Sequence, residues 1–220
     1  WQIIPTRWIK AAQDRWTPTR PDTSMTALGV DVARGGRDKT VLSPRFGPWF
    51  AEQKVYPGVE TPDGPATAAL VVAALRNAAP VHIDVVGVGG SVYDHLCGNN
   101  VHAVAMNGAA ASNATDRSGR LGFANKRAEW GWRMREALDP NYGDGLALPP
   151  EAELRADLAA SRWKLTARGI QVEAKEETVK RIGRSPDRGD AAVYALPTTR
   201  RAARKGGVPR VERSYDPLRW

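Results

Sequence analysis

The sequence predicts an α/β fold built on a mixed sheet. Strand-like apolar segments come first and then alternate with helix-like ones, the order of a sheet with flanking helices. A composition of 42% hydrophobic and 25% charged residues supplies a core and excludes a disordered chain. The length of 220 residues, at about 150 per domain, fits one domain with an appendage.

Each element has a local reason. Between Pro5 and Trp16, the residues Trp8, Ile9, Ala12 and Trp16 fall at helical spacing, which predicts a short amphipathic helix. Residues 17–25 hold two prolines and polar residues and read as a linker, so 1–25 forms a connecting segment and the compact domain starts near Thr26. A strand over 27–33, a turn at 34–38, a strand from Thr40 and another over 49–56 make a meander. A helix is expected over 67–77 and a strand over 80–85. Then comes a glycine loop, a helix capped by Ser91, and a strand over 101–105. Residues 107–122, rich in Ala, Ser, Asn and Gly, read as a mobile loop. Helices follow over 125–138 (Trp130, Met134 and Leu138 on one face) and 151–160. A hairpin turns at Arg168-Gly169, and helices are expected over 177–182 and 187–196, the last ended by Pro197. Residues 198–220 read as a basic tail.

Several function classes drop out. No run approaches the roughly 18 apolar residues of a membrane span. Cys97 is the only cysteine, so a disulfide within the chain or a cysteine-based zinc site is not expected. His82, His95 and His102 lack zinc-ligand spacing. The first residues do not form a signal peptide, and the absence of an initiator Met suggests a fragment of a longer protein. Gly35-Gly36-Arg37-Asp38-Lys39-Thr40 has Asp38 where a phosphate-binding loop needs Gly, and Gly87-Val88-Gly89-Gly90 lacks the third glycine of a dinucleotide fingerprint. Lys and Arg total 32 against 24 acids, 24 of the 32 being Arg, and the tail alone carries +5 of the net +8. Guanidinium forks match phosphates, so the charge fits a polyanion such as nucleic acid; for the tail, an arginine bias set by genome base composition fits equally well.

Three acids stand where a globular chain tends not to place them. Asp31 and Asp84 each interrupt an apolar strand, and Asp190 sits beside Ala191, Ala192 and Val193 in the last helix. A buried carboxylate costs several kcal/mol unless paired or metal-bound. Each alone also fits an acid that caps a loop or pairs with Arg. If the two strands are neighbours, however, the three converge at one end of the sheet. Converging carboxylates suit two hard cations, Mg²⁺ or Mn²⁺, which about 4 Å apart clamp a phosphodiester for hydrolysis.

The same segments carry a family resemblance. Leu28-Gly29-Val30-Asp31-Val32-Ala33-Arg34-Gly35-Gly36-Arg37-Asp38-Lys39-Thr40 resembles the first motif of the nuclease domain of tailed-bacteriophage terminase large subunits. His82-Ile83-Asp84-Val85-Val86-Gly87-Val88-Gly89-Gly90-Ser91-Val92-Tyr93-Asp94 resembles the second, and Gly183-Arg184-Ser185-Pro186-Asp187-Arg188-Gly189-Asp190-Ala191 the third. Ile3-Ile4-Pro5 with Trp8 and Ile9 is similar to the segment joining the ATPase half to the nuclease half.

The resemblance implies a ribonuclease H-like domain over 26–197, preceded by a connection from an ATPase domain. It implies a metal-dependent endonuclease that cuts concatemeric phage DNA in the host cytoplasm during packaging, alongside a portal protein and a small terminase subunit. It makes Asp31, Asp84 and Asp190 catalytic metal ligands for two Mg²⁺ or Mn²⁺ ions, with Asp187 as an accessory ligand one helical turn away; Asp187 equally fits a helix cap. Asp38 fits a turn acid or a contact to a second metal. Arg34, Arg37, Lys126, Arg127, Lys175, Lys180, Arg181, Arg184 and Arg188 are the expected DNA contacts, with Asn125 opening the helix that carries two of them. Two alternatives stand beside this reading. One is another ribonuclease H-like nuclease such as a junction resolvase. The other is a non-catalytic DNA-binding or motor-docking module whose acids pair with arginines.

Overall fold

The structure is a computed structural model that describes residues 1–33 and 38–196. The apolar segment carrying the first acid forms β1 (Ala27–Asp31), buried along its whole length in the middle of a mixed sheet. β2 (Lys39–Phe46) returns antiparallel to it, with Asp31 opposite Val41. The single strand expected over 49–56 is two, β3 (Trp49–Phe50) and β4 (Lys54–Pro57), pairing with opposite ends of β2. Between them the Ala51 amide still donates to the Pro44 carbonyl of β2, while the Phe50 amide, on the outer side, donates to the Ala147 carbonyl, both at 2.9 Å.

α2 (Gly64–Ala74) starts earlier than Thr67 because Asp63 caps it, accepting from the Ala66 amide at 2.8 Å. β5 (Val81–Asp84) and β6 (Ala103–Met106) add in parallel, giving the order β3-β2-β1-β5-β6 with β4 against β2. α3 (Gly89–Gly98) joins β5 to β6; it begins two residues before Ser91, which therefore does not cap it.

Strand alternation then sorts the side chains. Leu28 and Val30 of β1, with Val81 and Ile83 of β5, pack with Val71 of α2 and Val92 and Leu96 of α3. Gly29, Asp31, His82 and Asp84 consequently point to the opposite face. That face is covered by α7 (Asp187–Ala195), and beyond it lie α1 (Thr6–Asp14), α4 (Lys126–Leu138) and α5 (Ala152–Ala160). A separate hairpin, β7 (Trp163–Thr166) and β8 (Gly169–Val172), turns where expected, and Gly169 takes a positive φ of 94° there. α6 (Lys175–Ile182) ends at left-handed Gly183.

Two expectations are corrected. α4 buries Trp132 and Met134 in the main core, while its Trp130 packs separately with Met106 and Tyr194, so the helix is enclosed on more than one face. Residues 107–122 are held in place by buried Asp116, which accepts from Ser118 Oγ at 2.6 Å and from the Arg120 and Leu121 amides. The first 14 residues share the core: Ile3, Ile4, Trp8, Ile9 and Ala12 pack with α4 and α5, and buried Arg135 stacks between Trp8 (4.9 Å) and Trp132 (5.0 Å). The expected DNA contacts Arg34 and Arg37, Pro197 and the basic tail lie outside the described residues.

α7 crosses β1 at Gly29. A Cβ there would lie 2.1 Å from the Ala191 carbonyl oxygen and 2.4 Å from the Ala195 amide nitrogen, both backbone atoms that cannot move aside. Gly29→Ala therefore pushes α7 off the sheet. Overpacking of this kind costs about 1–3 kcal/mol or more, and we expect urea unfolding to register a loss at or above the top of that range.

Candidate active site

Two residues project their acids from the ends of neighbouring parallel strands. β1 and β5 pair in register through Val30 and Ile83, and the next residue on each is Asp31 and Asp84. α7, seated on the same face, brings a third and a fourth acid in its first turn, Asp187 and Asp190. The helix N-terminus, with its partial positive charge, tolerates both.

α7 has no side-chain cap of its own. Asp157 of α5 supplies one, with Oδ2 accepting from the Arg188 amide at 3.1 Å and the Gly189 amide at 3.2 Å. The approach is close enough that a Cβ on Gly189 would lie 2.8 Å from Asp157 Cβ. The other oxygen, Asp157 Oδ1, is paired with Arg184 Nη2 at 2.5 Å.

Three of the four acids surround one cation. Lys175 Nζ lies 2.8 Å from Asp190 Oδ2, 3.3 Å from Asp31 Oδ2 and 4.0 Å from Asp187 Oδ1. Arg127, at the start of α4, approaches Asp190 Oδ1 at 3.9 Å, and its own Nε is buried without a hydrogen-bond partner. Asp187 also accepts from the Lys39 amide of β2 at 3.1 Å, so it ties α7 to the sheet rather than capping its own helix. Asp84 accepts from the Val86 amide at 2.9 Å on Oδ1 and from the Tyr194 hydroxyl at 3.1 Å on Oδ2.

The electrostatics follow from burial and distance. Asp31 is 4% exposed, and burial pushes its carboxyl well above the usual range; Lys175 opposes this, and the three neighbouring acids reinforce it. Burial pushes Asp190 the same way, but Lys175 and Arg127 outweigh it, and Asp190 stays below the usual range. Lys175 is partly desolvated, yet its acids hold its ammonium charged well above the ordinary lysine range. Asp31 is thus the acid that resists ionising, and Asp190 the one that stays ionised.

Among the described residues, no three acids, histidines or cysteines close into a ready-made metal cage. The point of convergence is filled by the Lys175 ammonium. The donor set nevertheless fits a hard divalent ion, since every ligand is a carboxylate oxygen and three of them already face one positive charge.

The structure distributes the other expected DNA contacts unevenly. Arg127, Lys175 and Lys180 line the cavity of about 980 Å³ that holds the acids. Lys126 instead pairs with Glu129 at 2.8 Å. Arg181 pairs with Glu173, Arg184 with Asp157 and Glu153, and Arg188 with Glu151 and Glu153, so their charge is engaged with acids of the chain itself. Asp38 lines the same cavity. Two exposed basic residues on the hairpin, Arg162 and Lys164, also line it and escaped the sequence reading. The signal for them is the strand alternation around Trp163, which turns its neighbours outward. Tyr194 escaped it too, as an aromatic in an Ala-rich helix.

Solved structures similar to this chain include nuclease domains of phage large terminase subunits. That of bacterial virus Sf6 superposes with a TM-score of 0.71 at 19% identity, covering 91% of this chain and 100% of that one. The chain has the ribonuclease H-like fold of terminase nuclease domains. A mutant of the Sf6 domain solved with manganese gives a TM-score of 0.68 at 18% identity, over 90% of this chain and 100% of that one. The large terminase nuclease of thermophilic phage G20c with bound magnesium gives 0.54 at 16% identity, over 81% and 82%. No protein-family model and no curated protein matches the sequence. No helix among the described residues is long and apolar enough to cross a membrane.

Removing the central cation exposes the repulsion it masks. Lys175→Met, of similar length and uncharged, leaves Asp31, Asp187 and Asp190 facing one another in EDTA. Deleting one partner of a buried pair costs about 3–5 kcal/mol. With Lys175 partly exposed, we expect a loss toward or below the lower figure in chemical denaturation, reversed by millimolar Ca²⁺ or Mn²⁺.

Proposed function

We propose that this chain is the metal-dependent endonuclease domain of a phage large terminase subunit, cutting concatemeric viral DNA. The observation that carries the reading is the meeting of acids from β1, β5 and α7 at one mouth, those of β1 and α7 around a positive charge. The basic rim of Arg127, Arg162, Lys164 and Lys180 beside them, and the fold shared with terminase nucleases solved with manganese or magnesium, support it.

Asp31, Asp84 and Asp190, with Asp187 as an accessory, would hold two Mg²⁺ or Mn²⁺ ions, which when bound supply an activated water and a charge to stabilise the leaving oxygen. Asp84 presents its carboxylate already oriented by two hydrogen bonds. Arg127 faces the same acids and is placed to meet a phosphate oxygen. Lys175 neutralises Asp31, Asp187 and Asp190, the residues that would hold a cation. The rim cations contact backbone phosphates, which carry no base information, so the domain itself has little sequence preference. The reading places the protein in the host cytoplasm during assembly, with double-stranded DNA, the terminase ATPase domain, a portal protein and a small subunit as partners.

A second reading has one observation in its favour. Acids already paired with Lys175 and Arg127 also suit a DNA-binding or docking module without catalysis.

Incubation of supercoiled plasmid with the protein separates the two. We expect nicking and linearisation with Mn²⁺ or Mg²⁺ and none in EDTA. Asp84→Asn and Asp190→Asn should each lower the rate by orders of magnitude while retaining DNA binding in EDTA. Plasmid left intact by folded protein in Mn²⁺ would favour the docking module. DNA affinity, measured by fluorescence anisotropy, should fall steeply from 50 to 200 mM salt as counterions are released; a flat response would remove the phosphate-binding role of the rim.

A further inference from the structure

The acids of this site come from elements far apart in sequence, so their relative orientation depends on what locks α7 to β5. Tyr194, on the last turn of α7, makes that lock in three ways. Its hydroxyl donates to Asp84 Oδ2 at 3.1 Å. Its backbone carbonyl accepts from the Nδ1–H of buried His82, two residues before Asp84 on β5, at 2.7 Å. Its ring meets Trp130 of α4 edge-on, with centroids 6.0 Å apart. The residue is 6% exposed, so the hydroxyl has little access to water and Asp84 is the partner the structure gives it.

Asp84 differs from the other acids of the cluster in what surrounds it. Asp31, Asp187 and Asp190 all lie within 4.0 Å of the Lys175 ammonium, whereas the hydrogen bonds to Asp84 come from uncharged donors, the Val86 amide and the Tyr194 hydroxyl. The amide is local and holds Oδ1 against its own loop. The hydroxyl is the contact that ties Oδ2 to the helix bearing Asp187 and Asp190. Each carboxylate oxygen has two lone pairs, so one hydrogen bond apiece fixes the plane of the group and leaves an acceptor position on each oxygen. Groups that orient a ligating carboxylate in this way commonly change metal affinity 10- to 100-fold when removed.

We infer that Tyr194 is a positioning residue of this site: through its hydroxyl it fixes the Asp84 carboxylate in register with the acids of its own helix, and so sets the affinity for a divalent cation. The inference rests on the metal-dependent reading above and adds to it a residue that itself contacts neither metal nor DNA.

The test is calorimetric titration of the protein with MnCl₂, without DNA, on the parent, Asp84→Asn, Tyr194→Phe and the double variant. Phe keeps the ring against Trp130 and removes only the donor. The expected result is parental stoichiometry with affinity weakened about 10- to 100-fold in Tyr194→Phe, and no further weakening when it is added to Asp84→Asn. Plasmid cleavage by Tyr194→Phe should recover as Mn²⁺ is raised, because the residue acts through occupancy. A merely structural role would instead lower the stoichiometry, and added Mn²⁺ would not restore the rate. Replacing Tyr194 with 4-aminophenylalanine, which returns a donor to the same ring, should return the affinity and also serves if the Phe variant folds poorly. Parental affinity in Tyr194→Phe, alongside lost affinity in Asp84→Asn, overturns the positioning role and leaves the metal reading standing. Equal Mn²⁺ uptake by the parent and Asp84→Asn, or none by the parent, overturns both.

Discussion

The close crossing of α7 over β1 at Gly29 is the contact on which the site depends. The backbones of helix and strand meet with no side chain between them, so the helix lies lower on the sheet than any residue with a Cβ would permit. That depth carries Asp187 and Asp190 down to the level of Asp31 and Asp84 at the strand ends. It also turns Tyr194 toward β5 and presents the first-turn amides to Asp157. A helix held a few ångströms higher would keep its sequence and most of its packing, and its acids would face solvent.

Gathering four acids in one place has an electrostatic cost, and the fold offsets it with Lys175 and Arg127 rather than by spacing the acids apart. The result is asymmetric. Asp190 has two cations near it and remains ionised, while Asp31, buried more deeply and sharing only the lysine, is pushed toward protonation. Lys175 begins α6, directly after the hairpin, so the segment that neutralises the cluster is continuous with the one that forms part of the cavity wall.

Much of this was legible from the residues alone. An acid inside an apolar strand is conspicuous, and Asp31 and Asp84 stand out for that reason; that their strands are parallel neighbours is what the structure adds. What stayed hidden is pairing at long range. Arg184 and Arg188 read as free cations because Asp157, Glu153 and Glu151, which engage them, lie about thirty residues upstream on another helix. Lys175 read as a DNA contact because only the fold brings Asp31, Asp187 and Asp190 around it. No local pattern marks the division of residues 49–56 into two strands, nor the hydrogen bond from Phe50 to Ala147 nearly a hundred residues on. The N-terminal segment read as a connection from the prolines and polar residues of 17–25; its packing against Arg135 and Trp132 is again a contact at long range.

The borrowed cap on α7 has a consequence for how the chain reaches this state. A nine-residue helix with no cap of its own is too short to persist in water, so it forms when it docks against α5 and the sheet. The two strand acids belong to the first half of the sequence and the helix acids to its end. The cluster is therefore complete only when α7 is docked: the sheet alone brings Asp31 and Asp84 together, and Asp187 and Asp190 join them as the helix seats.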